Sequence, residues 1–231
     1  MRRVLVFGGY GTIGAYICQL FETKGWSVCK VSREQTLGDN HIVFDPFGSD
    51  GNNVDAFKRV GSFNAVCWAQ GMNCNDNIYN VDIGENLELY RVNCLYIVKS
   101  LNILLNENLL SDGARLSVIS SIWQSIARQD KLSYCMTKAA LHGLVLSAAT
   151  DLAEYGYLIN AVLPGALDTS MTHQNLIPEQ LEKIKDATKF KRLASLDDVA
   201  NLVYFLCSPE NTGITGQFIN ADLGFSHVRI V

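Results

Sequence analysis

Two stretches of the chain carry residues whose types and spacing can do chemistry. In S-Y-C-M-T-K, Tyr134 and Lys138 stand four positions apart. On a helix such residues share a face, and an ammonium beside a phenol favours the phenolate, lowering its pKa from about 10 toward the neutral range. Taken alone, the pair is equally a surface helix pair. The second stretch, V-F-G-G-Y-G-T-I-G, places Gly8, Gly9, Gly11 and Gly14 between an apolar run and a helix-like pattern. Glycines there serve a tight turn, or the close approach of a pyrophosphate to the first N–H groups of a helix around Thr12 and Ile13. Gly9, Gly11 and Gly14 satisfy G-x-G-x-x-G in the strand–turn–helix context that a dinucleotide site requires.

These groups need a scaffold that brings strand ends and distant helices together. Short apolar runs alternate with helical patterns: RVLVF, a helix from about Ile13 to Lys24, then SVCKV, HIVF, FNAVCWA, ARLSVIS, YLINAVL and GQFINA. Long helices are predicted from Ile83 to about Asn106 and from Leu132 to about Tyr155, and LDDVANLVYFLCS reads as a capped amphipathic helix. The pattern predicts an α/β fold with a parallel sheet covered on both faces. Between SVCKV and HIVF only S-R-E-Q-T-L-G-D-N is available. A crossover usually takes about 10 to 12 residues or more, so its helix should be missing or reduced to a turn.

With 231 residues, 48% hydrophobic and 18% charged, the chain fits one domain, 1–231. A net charge of −4 gives no basic face for nucleic acid or for acidic lipid surfaces. Seven cysteines without a C-x-x-C pair point to reduced thiols. The run after M-R-R is cut at Gly8, too early for a signal peptide, and none approaches the roughly 18 to 20 apolar residues of a membrane helix. A soluble, cytoplasmic protein is expected. His41, His142, His173 and His227 show no metal spacing.

The chain resembles the short-chain dehydrogenase/reductase family, small non-extended subfamily, over nearly its whole length. Ser121 in VISSIW, thirteen residues before Tyr134, matches the family's serine after strand five, and Asn93 in RVNCLYIVKS matches its helix-four asparagine. LPGALDTSMT is similar to the P-G-x-x-x-T segment, with Pro164, Gly165 and Thr169, and TGITGQFINADLGFS resembles the closing strand. The resemblance implies a single-domain Rossmann-type doubly wound sheet, with residues 165–190 as a flap over the substrate. It implies that Tyr134 passes a proton to or from a carbonyl oxygen while hydride moves at the nicotinamide. Ser121 would hold that oxygen, Lys138 would tune the tyrosine and hold ribose hydroxyls, and Asn93 would hold a water leading from Lys138 to solvent. Cofactor contacts would come from Gly8, Gly9, Gly11, Thr12, Ile13, Gly14, Ser32, Arg33, Asp45, Ala69 and Gly71, besides Tyr134, Lys138, Pro164, Gly165 and Thr169. Asp45 reads either as the acidic residue near the adenine or as a turn residue before Pro46.

The departures bear on function. Gly8, Gly11 and Gly14 match the extended subfamily's G-x-x-G-x-x-G equally well, but the length is too short for that subfamily's additional C-terminal region. W-A-Q-G stands for the family's N-N-A-G, keeping Ala69 and Gly71 with Trp68 and Gln70 as replacements, and Leu223 stands where a glycine is usual. The second strand ends in V-S-R, without the carboxylate that would bind a ribose 2′-OH. Ser32 and Arg33 suit a 2′-phosphate, so NADP(H) is expected over NAD(H). The expected activity is hydride transfer between NADP(H) and a small carbonyl or alcohol substrate; the alternative is an idle cofactor-sensing or scaffold protein of the same fold. Apolar helices four and five predict a homodimer or homotetramer. Near the active tyrosine, Trp123 offers apolar area, and Arg128 is either a clamp for an anionic substrate or a solvated loop residue.

Overall fold

The structure, a computed structural model, describes residues 1–34, 40–48 and 54–228. The elements in chain order are β1 (Arg3–Phe7), α1 (Thr12–Thr23), β2 (Ser27–Ser32), β3 (His41–Val43), α2 (Val54–Val60), β4 (Phe63–Trp68), α3 (Ile83–Tyr90), α4 (Tyr96–Asn106) and β5 (Leu110–Ile119). They continue with α5 (Leu132–Leu152), β6 (Leu158–Pro164), α6 (Ser170–Asn175), α7 (Pro178–Asp186), α8 (Leu196–Cys207) and β7 (Phe218–Ala221). The strands form one parallel sheet in the order β3-β2-β1-β4-β5-β6-β7. The short connection between β2 and β3 runs mostly through residues 35–39, which lie outside the described residues.

Continuous apolar strands work here because alternate side chains enter two separate cores. Val4 and Val6 of β1, with Ala65 and Cys67 of β4, pack with Ile17 and Phe21 of α1 and Val199 and Val203 of α8. Leu5, Phe7, Val66 and Trp68 face the other way, toward Ile97 and Leu104 of α4 and Leu141 and Val145 of α5. Trp68 is fully buried, stacks on Phe7 with ring centroids 5.7 Å apart, and donates its indole N–H to the Ser100 hydroxyl at 2.8 Å. A tryptophan in the N-N-A-G position thus fills the sheet centre and satisfies its one polar atom. Six of the seven cysteines are buried as free thiols.

The long helix over residues 83–106 is not uniform. A π-turn, Arg91–Leu95, separates α3 from α4. No residue type announces such a turn, and inserted π-turns often mark functional positions. Asn93 lies inside it. The strand order reverses between β1 and β4. Their C-terminal ends diverge there into opposite crossovers, leaving the crevice where open α/β sheets bind ligands.

Candidate active site

The crevice begins at the glycine turn. After β1, Gly8 takes φ +72°, a left-handed conformation that glycine adopts without strain. The Gly11 N–H donates to the Gly8 carbonyl at 2.9 Å, and α1 starts at Thr12. The four glycines do different jobs. A Cβ on Gly14 would lie 2.1 Å from the Gly8 oxygen, and one on Gly9 would lie 3.0 Å from the Lys30 Cβ, so both are there for close packing. Neither borders the two cavities of the crevice. Gly11 does line the crevice: a Cβ there would have only the Gly8 oxygen, at 3.4 Å, within 4 Å.

Two adjoining cavities occupy the crevice, of about 1020 Å³ and 280 Å³, both bordered by Gly11, Ala69, Gln70, Gly71 and Met72. The smaller is walled by Gly8, Ser32, Arg33, Asp45 and, from the π-turn, Arg91. The Ser32 hydroxyl is committed locally, 2.6 Å from the Glu34 carbonyl and 2.8 Å from His41 Nε2, so Arg33 is the group left to face a ligand phosphate. One Asp45 carboxylate oxygen accepts the Phe47 N–H at 2.9 Å in a turn, and the residue borders the cavity. Arg91 was not singled out in the sequence. Its guanidinium lies 4.6 Å from the centre of the Phe47 ring and pairs with Glu88 at 3.0 Å.

The larger cavity gathers Thr12, Ile13, Ser121, Trp123, Tyr134, Lys138, Pro164, Gly165 and Thr169. Tyr134 and Lys138 share one face of α5, and the Ser121 hydroxyl, which accepts the Trp123 N–H at 3.3 Å, lies on the same cavity wall as Tyr134. Lys138 is buried, its Nζ donating to the Ile119 carbonyl at 3.0 Å and lying 5.6 Å from the centre of the Tyr134 ring. Its effect on the phenol departs from expectation. Burial pushes Tyr134 up to about 12, the neighbouring Ser121 hydroxyl opposing only in part, and burial brings Lys138 down to about 8. Desolvation outweighs the attraction that an i, i+4 pair would have in water.

Asn93 has a fastening role as well. Its Nδ2 donates to the Met72 carbonyl and to the Thr137 hydroxyl, both at 3.0 Å, and its Oδ1 accepts the Met72 N–H at 2.8 Å. Both amide hydrogens are thus spent on fastening the segment after β4 to α5, beneath Lys138.

Asp76 is the functional residue that sequence reading missed. No side chain of its own segment caps α5, but the buried Asp76 carboxylate reaches across to accept the Ser133 N–H at 3.0 Å and the Ser133 hydroxyl. These hydrogen bonds from Ser133 hold Asp76 below the usual carboxylate range, although its burial acts in the opposite direction. A carboxylate on a helix N-terminus also opposes the macrodipole. The residue before the catalytic candidate Tyr134 is pinned in this way.

The flap segment forms α6 and α7, with Leu176, Leu181 and Leu193 in a small apolar cluster of its own. Thr169 N-caps α6, its hydroxyl accepting the Thr172 N–H at 3.3 Å. Thr172, Leu176 and Lys183 close one side of the large cavity.

The residues present fit a nicotinamide dinucleotide. Gly11 leaves room for backbone approach at a helix N-terminus, and guanidinium groups flank the smaller cavity. The half-buried Gln70, at the junction of the two cavities, has its amide nitrogen and oxygen buried without a hydrogen-bond partner. Among the described residues no group of three or more His, Cys, Asp or Glu is arranged to hold a metal, and no helix is long and apolar enough to cross a membrane.

Known proteins agree with this geometry. A family model described as enoyl-(acyl carrier protein) reductase matches residues 54–226. An uncharacterized oxidoreductase of Bacillus subtilis, YmfI, is 26% identical over 97% of this chain and 98% of its own length. The 3-oxoacyl-[acyl-carrier-protein] reductase FabG of Aquifex aeolicus is 38% identical over 48% of this chain and 44% of its own length. The solved structure of Thermoplasma acidophilum aldohexose dehydrogenase superposes with a TM-score of 0.88 at 25% identity, covering 100% of this chain and 96% of that one. A gluconate 5-dehydrogenase from Burkholderia cenocepacia, solved with NADP and tartrate, shares the fold at a TM-score of 0.89 and 20% identity, over 98% of this chain and 96% of that one. With the crevice at the strand-order reversal and the family match over three quarters of its length, the chain belongs to the short-chain dehydrogenase/reductase family, and it is an NAD(P)-dependent oxidoreductase acting on a CH–OH/C=O pair.

Proposed function

We propose that the protein reduces a carbonyl compound with NADPH, with Tyr134 as the general acid. The observation that carries this reading is that Ser121 and Tyr134 share the wall of the large cavity, with Lys138 buried 5.6 Å from the centre of the Tyr134 ring. The chemistry supplied by the nicotinamide is hydride transfer to or from the carbonyl carbon. Ser121 and Tyr134, on one wall of the cavity, orient the carbonyl oxygen and stabilise the negative charge it develops. Tyr134 then gives that oxygen its proton. Because Tyr134 titrates near 12, it is fully protonated at neutral pH and serves as donor. Reduction starts from this protonated form, whereas alcohol oxidation starts from the phenolate and gains rate as the solution becomes alkaline.

Lys138, within the same wall, holds ribose hydroxyls, and Asn93 and Asp76 keep α5 in register beneath the reacting atoms. Arg33, helped by Arg91, favours a 2′-phosphate; no carboxylate ends β2 to repel one. The helices α6 and α7 are the substrate cover. Leu95, Val98 and Leu146 stand 41 to 47% exposed on the π-turn, α4 and α5, an apolar surface suited to a symmetric homodimer or homotetramer.

Tyr134→Phe tests the central assignment. Ketone-dependent NADPH oxidation should fall by about 10² to 10⁴, while NADPH affinity measured by fluorescence titration stays within about threefold, since the ring and its packing remain. A variant that kept most of its turnover would remove Tyr134 from the mechanism.

A further inference from the structure

Among the described residues, three cations and two carboxylates, Asp76 and Asp130, border the substrate side of the large cavity. Arg128, Lys131 and Lys183 all border it. Among the described residues none of the three is in an ion pair; the ion-paired side chains all lie elsewhere. Lys131 is 7% exposed, and its Nζ donates only to neutral acceptors, the Asn73 side-chain oxygen at 2.8 Å and the Cys74 carbonyl at 2.9 Å. An ammonium has three hydrogens, so one remains.

The carboxylates bordering the same cavity hydrogen-bond neutral groups, although the Asp76 charge also acts on Lys131 and favours its charged form. Asp76 holds Ser133, and Asp130 accepts from the Asn77 amide at 2.8 Å. Arg128 and Lys131 repel each other: Lys131 is held below the ordinary lysine value, by burial first and by the Arg128 charge next. Three cations against two carboxylates leave the wall with an excess positive charge, which an added anion relieves. The Lys131 Nζ lies 5.9 Å from the centre of the Tyr134 ring. An anion seated on Lys131 and a carbonyl seated on Tyr134 therefore fit within one small molecule.

We propose that the substrate is a carbonyl or hydroxyl compound carrying an anionic group, a carboxylate or a phosphate, which Arg128 and Lys131 bind while Ser121 and Tyr134 hold the reacting oxygen. The proposal rests on the oxidoreductase reading and names its substrate class. Lys131 supplies a fixed hydrogen bond from within the wall, and Arg128, half-buried on the loop before α5, closes on the anion with a planar fork. The neighbouring Trp123 covers the apolar part of the molecule.

The test uses matched ligands and the intact protein. Keto acids of increasing chain length are compared with their primary amides, and phosphorylated ketones with the parent hydroxyketones, by kcat/KM with NADPH. Binding is followed separately by quenching of tryptophan fluorescence, since Trp123 borders the cavity. One anionic series should exceed its neutral partner by about tenfold to a hundredfold, the range of a hydrogen bond to a charged group. Which series does so distinguishes carboxylate from phosphate. Arg128→Gln and Lys131→Gln should each raise KM for the anion by about tenfold or more and leave the neutral partner unchanged. Equal kcat/KM within every pair, a preference surviving both substitutions, or no quenching by any anion overturns the proposal; neutral carbonyls turned over equally well would leave the oxidoreductase reading standing. Anion-selective quenching that vanishes in Arg128→Gln, in a protein turning over none of the compounds, supports the anion site and tells against the Tyr134 assignment instead.

Discussion

Replacing Gly11 and Gly14 in turn separates the packing role of the glycine turn from its binding role. In Gly14→Ala the new methyl would lie 2.1 Å from the Gly8 carbonyl oxygen and 2.8 Å from its carbon, more than 1 Å inside ordinary van der Waals distance. Both partners are backbone, so relief requires α1 to move off the turn. Overpacking of this kind costs about 3 kcal/mol. For a domain of this size each 1 kcal/mol moves Tm by about 2 to 4 °C, giving a fall of about 6 to 12 °C. Gly11 has φ −73° and ψ 163°, open to any residue, and its Cβ would meet nothing closer than 3.4 Å. Loss of glycine at an N-cap costs about 1 kcal/mol, and the stiffer unfolded chain offsets about 0.4 to 1 kcal/mol of that. The Tm of Gly11→Ala should accordingly stay within about 3 °C of the parent protein. Its methyl occupies the wall where the pyrophosphate must approach, so NADPH affinity should fall about tenfold or more, equivalent to at least about 1.4 kcal/mol. Calorimetry and fluorescence titration on the two variants decide the matter. A Gly14→Ala protein as stable as the parent, or a Gly11→Ala protein with undiminished affinity, would refute the division of labour.

Lys138, brought down by burial to about 8 from 10.5, makes stability depend on pH. Between those values the unfolded chain holds a proton that the folded chain has released, so stability rises with pH across that window. Compared with Lys138→Met, the wild type should gain about 1 kcal/mol per pH unit from about pH 8 to about pH 10 in urea titrations; a flat difference would contradict it. Arg33→Ala should weaken NADPH by about tenfold to a hundredfold, the worth of a charge-assisted bond, and leave NADH within about threefold. An equal loss for both would place Arg33 away from the 2′-phosphate. Light scattering at micromolar concentration should give the mass of a dimer or tetramer; a monomer would leave the exposed Leu95, Val98 and Leu146 without that explanation.

Much of the scaffold was legible in the linear chain because it follows from local periodicity. Runs such as RVLVF and FNAVCW are apolar at every position, a pattern that suits a parallel strand buried on both faces. Gly8 sits where positive φ is needed, and Ser195 with Asp198 announces the start of α8 as a capping box. The Tyr134–Lys138 spacing placed both side chains on one helix face for the same reason.

The remainder depended on groups far apart in sequence. Nothing near Leu132 indicates that α5 is capped by Asp76, 57 positions before Ser133. The π-turn at Asn93 has no residue signature, and it brings the Asn93 amide to both Met72 and Thr137. Leu223 accepts the left-handed φ of +57° because the Asp222 carboxylate ties the following turn at Gly224 and Ser226. The charge states of the site were decided at the same level. From spacing alone, Lys138 should draw the Tyr134 pKa down, yet both side chains lie in a wall of the cleft where water is scarce, and desolvation moves the phenol up and the ammonium down. Sequence determined which residues share a face, since that depends only on chain geometry. Tertiary structure decided what those residues do, because hydrogen-bond partners and solvent exposure are set by atoms that meet only in the folded chain.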